Sequence, residues 1–248
     1  MGNKKSLIQE FYESDRLDRT EAGKRSDKEA RELKKFGGKN NLVLDAGCGN
    51  GIVAELISKE GNRVIGTDIS LKNIALARKR NIEAIQHDLV QPFPFKDETF
   101  DRICCLGVLE HLFLPERALQ EMYRCLKKDG QILIYTANDA FWRNRVVFLW
   151  GRMLFVETIN NKLWPWEHPH IRFFNLRYLK KLLTRCNFRI IAIKATYVDF
   201  PGALIPYVPF PVKVILYLLQ RITHGCEFLS NIFPSLFSGS LNVYAEKK

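Results

Sequence analysis

Short apolar runs alternate along this chain with stretches whose apolar side chains recur at helical spacing. Leu42-Val43-Leu44-Asp45-Ala46 is one such run. It is closed by Gly47-Cys48-Gly49-Asn50-Gly51 and followed by Ile52-Val53-Ala54-Glu55-Leu56-Ile57, which reads as strand, tight turn and helix. Arg63-Val64-Ile65-Gly66-Thr67-Asp68 is a second strand ending in a carboxylate, and Ser70 after it is suited to cap a helix running to Arg80. Residues 82–86 give a third strand, Pro92 and Pro94 mark a loop, and residues 100–106 give a fourth. A helix over 115–126 carries Ala118, Leu119, Met122 and Leu126 on one face. Lys127-Lys128-Asp129-Gly130 ends it before a fifth strand over 131–136, and a helix over 176–186, a strand over 188–196 and a last strand over 241–246 complete the series. Strands that are apolar throughout and alternate with helices predict an α/β fold, a mostly parallel sheet covered on both faces.

Three regions depart from this rhythm. Residues 1–40 are dense in charge, with Ala30, Leu33 and Phe36 at helical spacing before Gly37-Gly38, and predict a helical lead-in to a domain spanning 41–248. Phe11-Tyr12 within it is expected to pack on the core. Residues 138–174 hold all four tryptophans together with Arg143, Arg145 and Arg152, and close on His168-Pro169-His170-Ile171-Arg172-Phe173-Phe174. Residues 200–237 are rich in proline and large apolar residues, but Lys213 and Arg221 interrupt the apolar run, which stays short of the roughly eighteen residues of a membrane span. The two excursions are expected to form a cap over the substrate.

Charge and cysteine usage narrow the setting. From Asn138 onward 15 Lys and Arg face 6 Asp and Glu, so most of the net charge of +11 lies there, and an anionic partner or a solvated basic face follows. The six cysteines include no C-x-x-C pair. With no signal peptide at the start, reduced thiols and a cytoplasmic location are expected, with peripheral contact at a membrane open to the apolar excursions. Cys104 and Cys105, neighbours in a strand, should point into the core on opposite faces. Met1-Gly2-Asn3-Lys4-Lys5-Ser6 fits the form of an N-myristoylation site, which acts only in a eukaryotic cell.

A glycine turn after the first strand and an acid ending the second suit a nucleotide-containing cofactor. Dinucleotides favour G-x-G-x-x-G, whereas here the spacing is Gly47-x-Gly49-x-Gly51 with Asp45 just before it. A carboxylate there is awkward beside a pyrophosphate and comfortable beside an amino-acid ammonium, which S-adenosylmethionine carries. Val43-Leu44-Asp45-Ala46-Gly47-Cys48-Gly49-Asn50-Gly51 resembles the first motif of class I S-adenosylmethionine-dependent methyltransferases of the type 11 kind. The likeness continues through Gly66-Thr67-Asp68-Ile69-Ser70, His87-Asp88, Pro92-Phe93-Pro94-Phe95, Phe100-Asp101, Val108-Leu109-Glu110-His111 and Leu126-Lys127-Lys128-Asp129-Gly130. It implies a Rossmann-like sheet of seven strands with the last antiparallel. It also implies that Asp45, Gly47, Cys48, Gly49 and Gly51 frame the methionine part and Asp68 takes the ribose hydroxyls. Ile69, Asp88 and Leu89 would hold the adenine, and Leu106 would line the sulfonium side.

The cofactor supplies the electrophile, so the protein must align an acceptor and exclude water, and an alcohol acceptor also needs a base. His111, His168 and His170 are the candidates. No acids and histidines with metal-ligand spacing stand in the chain, so no metal is expected. Cys105-Leu106-Gly107-Val108 lacks the Asn/Asp-Pro-Pro-aromatic turn of enzymes that methylate exocyclic base nitrogens, and neither Cys104 nor Cys105 adjoins the proline usual in cytosine C5 methylation. O- or C-methylation of a small or lipid-linked acceptor, such as a quinone precursor, lipid or glycan precursor, is the favoured expectation, with nucleic acid a weaker one. The alternatives are an RNA methyltransferase, a nicotinamide-dependent oxidoreductase and a non-catalytic cofactor-binding module.

Overall fold

The computed structural model describes residues 27–149, 170–194 and 232–248, with isolated positions 9 and 214. Helix α1 (Asp27–Gly37) leads into β1 (Leu42–Ala46), α2 (Ile52–Ser58), β2 (Arg63–Asp68), α3 (Leu71–Lys79), β3 (Glu83–Gln86) and β4 (Phe100–Leu106). A 3-10 turn (Leu109–His111), α4 (Pro115–Cys125), β5 (Leu126–Ala137), α5 (Trp142–Leu149), α6 (Leu176–Arg185), β6 (Phe188–Lys194), α7 (Pro234–Phe237) and β7 (Ser240–Lys247) follow. The sheet has seven strands in the order β3-β2-β1-β4-β5-β7-β6. β1 pairs in parallel with β2 and β4, whereas β7 runs antiparallel to both β5 and β6. The order reverses between β1 and β4, the topological switch point where open α/β sheets place their ligands beyond the strand ends.

Alternation along the strands separates two cores. Leu44, Ile103, Cys105, Ile132, Ile134 and Val243 pack on one face with α4 and α6, while Val43, Cys104 and Leu133 pack on the other with Leu33 and Phe36 of α1, Val53 of α2 and Ile74 of α3. Cys104 and Cys105 are both fully buried and belong to different cores, as a two-residue pleat requires. Every described cysteine is a free thiol. Asn41 Nδ2 donates to Gly37 O at 2.7 Å and Asn62 Nδ2 to Gly38 O at 2.9 Å, so two asparagines fasten the Gly37-Gly38 exit from α1.

The largest departure from the sequence-based expectation is Lys127-Lys128-Asp129-Gly130. It does not separate the helix from the strand: β5 runs through it, pairing Phe100 with Leu126 and then Arg102 with Gln131, so that these four residues bulge out of the ladder. Lys127 Nζ then reaches Asp101 Oδ1 at 2.7 Å. A bulge of this kind carries the same glycine and charge signature as a helix stop.

Both excursions are clipped to the end of β5. Asp139 N donates to Phe174 O at 2.8 Å, and its carboxylate accepts from Phe174 N at 2.7 Å, closing the first. Asn138 closes the second: its N–H donates to Gly239 O, and its side-chain amide to Ser235 O and Ser238 O at 3.1 and 2.6 Å. The interiors of the excursions, with His168, and the expected contact of Phe11-Tyr12 lie outside the described residues, as do the Met1–Ser6 motif and the cap. Among the described residues no helix is long and apolar enough to cross a membrane.

Candidate cofactor and acceptor site

The turn after β1 holds three glycines at positive φ, each with its own reason. Gly47 has φ 81°, and a Cβ there would stand 2.3 Å from Val108 Cγ2; Gly51, also at 81°, would meet Ala77 Cα at 2.8 Å. These two let the turn pack against the β4 end and against α3. Gly49, at φ 53°, has nothing within 4 Å of the same construction. It opens onto space, a cradle that a ligand can approach at backbone distance.

The end of β2 fixes this turn from the other side. Gly47 N and Cys48 N both donate to Thr67 O, at 2.8 and 2.9 Å, and Gly49 N donates to Asp68 Oδ2 at 2.9 Å. Asp68 Oδ1 accepts from Ser70 N at 2.9 Å and Asn73 Nδ2 at 3.1 Å, while Ser70 Oγ caps α3 through Asn73 N at 3.3 Å. The carboxylate is thus preorganised by three donors, and with about four lone-pair sites it keeps capacity for a further hydroxyl. Asn73 is the residue the sequence reading missed; its place three after an N-cap was the available signal.

The other expected cofactor residues fall along the same edge. Asp45 is 2% exposed at the end of β1. Cys48 turns its sulfur inward toward Gly66, where an added Cβ would stand 2.7 Å from Sγ, and burial beside Asp45 and Asp68 drives its thiol pKa far up, so the backbone is what Cys48 offers a ligand. Ile69 is half-buried, and its carbonyl accepts from Gln86 Nε2 at 3.0 Å. Asp88 turns the chain after β3 by accepting from Val90 N at 3.2 Å. Leu89 buries its side chain in the core. Leu106 lines a shallow open groove between α1 and the sheet, with Leu33, Leu133, Tyr135, Tyr244, Glu29 and Glu32.

Beyond β4 the chain gathers residues from far apart. Glu110 is 4% exposed. Its carboxylate accepts from Thr136 Oγ1 at 3.1 Å, and its backbone carbonyl accepts from both Ile171 N and Arg172 N, at 2.9 and 3.0 Å. That clasp brings His170 against His111, their rings edge to face with centroids 4.6 Å apart. One donor atom each from Glu110, His111 and His170 lies within 4.8 Å of the others. Burial pushes the Glu110 carboxyl up to about 7, against its own backbone N–H, the Thr136 hydroxyl and the Ala137 N–H, which favour the charged form, and burial likewise raises Asp139 to about 6. Chain spacing gave no metal-ligand set because the third member arrives from the end of the first excursion. Two of the three candidate histidines are therefore together, next to the β4 end.

A family described as a methyltransferase domain matches residues 19–193. The chain belongs to this methyltransferase-domain family. Its fold is shared with a solved S-adenosylmethionine-dependent methyltransferase from Archaeoglobus fulgidus, at a TM-score of 0.57 and 19% identity over 97% of this chain and 98% of that one. The glycine cradle and the prearranged Asp68 fit the cofactor of that fold. Among curated relatives, a ubiquinone biosynthesis O-methyltransferase from Aliivibrio fischeri is 30% identical over 57% of this chain and 61% of its own. A probable tRNA methyltransferase 9B from Mus musculus is 32% identical over 54% of this chain and 32% of its own. This methyltransferase domain thus spans from a third to three-fifths of the length of those two relatives.

Proposed function

We propose that the protein transfers a methyl group from S-adenosylmethionine to the hydroxyl, or an activated carbon, of a small or lipid-linked acceptor. The observation that carries this is the pairing of a glycine cradle with two half-buried imidazoles just past the end of β4. Bound S-adenosylmethionine supplies an electrophilic methyl on a sulfonium. Asp68 and the backbone of residues 47–51 hold the cofactor, and Leu106 closes the sulfonium side. His111 or His170 takes the acceptor proton as the acceptor oxygen bonds to the methyl; the broken carbon–sulfur bond leaves its electron pair on sulfur, giving S-adenosylhomocysteine. Glu110 positions the imidazoles from below.

An amphiphilic acceptor suits the rim. Phe113, Leu114 and Phe173 are 56%, 47% and 55% exposed beside the histidines, and Arg172, whose Nη2 donates to Phe113 O at 2.7 Å, adds a cation for an anionic end. The O-methyltransferase relative supports this reading, with the excursions as a cap. An RNA acceptor is the second reading, favoured by the tRNA methyltransferase relative and the +11 charge. Methyl-labelled cofactor incubated with a cell extract, then separated into lipids, small polar metabolites and RNA, tests both. Label in the lipid or metabolite fraction is the expected result. Label confined to RNA, with binding that weakens steeply with salt, overturns it in favour of the second reading.

A further inference from the structure

The donor set assembled by Glu110, His111 and His170 has a chemistry that a proton acceptor alone does not need. One carboxylate and two imidazoles are what borderline divalent transition ions take, whereas Mg2+ and Ca2+ prefer oxygen ligands. Donors around such an ion, at bonds of about 2.1 Å, stand roughly 3.4 Å apart. The three atoms here lie within 4.8 Å of one another, so closure takes about an ångström of side-chain movement. Both imidazoles are half-buried, while Glu110 is buried.

Two further features belong to a built site. The Thr136 hydroxyl on the Glu110 carboxylate, at 3.1 Å, is the kind of outer partner that orients a ligating carboxylate. The two N–H groups of Ile171 and Arg172 on Glu110 O hold His170 in register across the whole first excursion. Next to them, a Cβ built at Gly107 would come only to 3.8 Å from Glu110 Oε1, so the glycine leaves room on the side facing the end of β4. The carboxylate is held by the backbone N–H groups of Glu110 and Ala137 as well as by the Thr136 hydroxyl, donors that fix the direction of its oxygens toward the imidazole side.

We propose that Glu110, His111 and His170 bind one divalent transition-metal ion of the Zn2+ class at the acceptor side of the glycine turn. The placement beside an acceptor rests on the methyl-transfer reading; the binding itself does not. With an ion bound, the imidazoles would be ligands instead of the proton acceptor, and the metal would lower the pKa of a coordinated acceptor hydroxyl in their place. That proton leaves to water while the oxygen takes the methyl and the carbon–sulfur electron pair goes to sulfur.

Untagged full-length protein, stripped with a chelator, is titrated with Zn2+ against a chromophoric competitor and separately with Co2+. One ion per chain and visible Co2+ absorption of a four- or five-coordinate site are expected. His170→Ala and Glu110→Gln should each weaken binding by about 100-fold or more, while S-adenosylhomocysteine still binds and reports a folded cofactor half. No binding at tens of micromolar metal, or undiminished binding in the His170 variant, overturns the proposal. Metal binding without methylation of any acceptor class leaves the site standing and removes the transferase reading. Full turnover in protein that binds no metal does the reverse.

Discussion

The β1–β3 half and the region beyond β4 are built by opposite means. In the first, the glycine turn and its supports lie within one run from β1 to α3: Gly47 and Gly49 are locked by Thr67 and Asp68, Gly51 N donates to Cys48 O, and Asp68 is held by Ser70 and Asn73. In the second, Glu110, Thr136 and His170 come from three separate segments and meet only because the end of the first excursion is clasped to Glu110 O. The glycine-turn half is local, and the region beyond β4 is assembled by tertiary contacts. Methyl transfer needs both properties, since one cofactor geometry serves acceptors of many shapes.

Substitutions can separate the two halves. Gly51→Ala forces a side chain into Ala77 at positive φ, and strain plus overpacking should cost about 2–5 kcal/mol, read as a lower denaturation midpoint; an unchanged midpoint would show that the turn does not depend on α3. His170→Ala should lower kcat by about 100-fold while S-adenosylhomocysteine affinity stays as in the parent, a split that a merely structural histidine would not give. Gly49→Ala introduces a methyl into open space, so stability should fall by only about 1 kcal/mol from backbone strain, while cofactor affinity falls about tenfold or more. Equal stability losses in Gly49→Ala and Gly51→Ala would erase the distinction between cradle and packing contact.

The smallest effect concerns Asp139. Its folded carboxyl titrates near 6 because burial disfavours the charged form, whereas an unfolded aspartate titrates near 3.9. The folded state therefore holds the proton more tightly, and stability is lost as pH rises through this window and stays lower above it. Asp139→Asn keeps an oxygen for Phe174 N and removes the titration. It should flatten stability between about pH 4 and 6 and raise it near neutrality by about 1 kcal/mol, discounted for partial exposure. A pH dependence identical to the parent's would locate the titration elsewhere.

What the sequence made legible follows the same division. The glycine spacing, Asp45, Asp68 and the Ser70 cap were readable because each depends on neighbours a few positions away. The strands were readable because burial on both faces leaves nearly continuous apolar runs. The bulge at Lys127–Gly130 was not, since a glycine after charged residues marks helix stops and strand irregularities alike. Nor was the union of Glu110 with His170, which no periodicity encodes. Glu110 stood in the sequence only as a member of the Val108–His111 motif, and the fold is what shows it buried between Thr136 and the end of the first excursion.

We propose that the turn after β1 is a cofactor site for S-adenosylmethionine rather than for a dinucleotide. Calorimetric titration of the purified chain with S-adenosylhomocysteine and with NAD, repeated on Gly49→Ala, tests it most directly. One equivalent of S-adenosylhomocysteine, weakened by the substitution, and no heat from NAD is the result expected. Saturable NAD binding, or S-adenosylhomocysteine binding indifferent to Gly49, would contradict it.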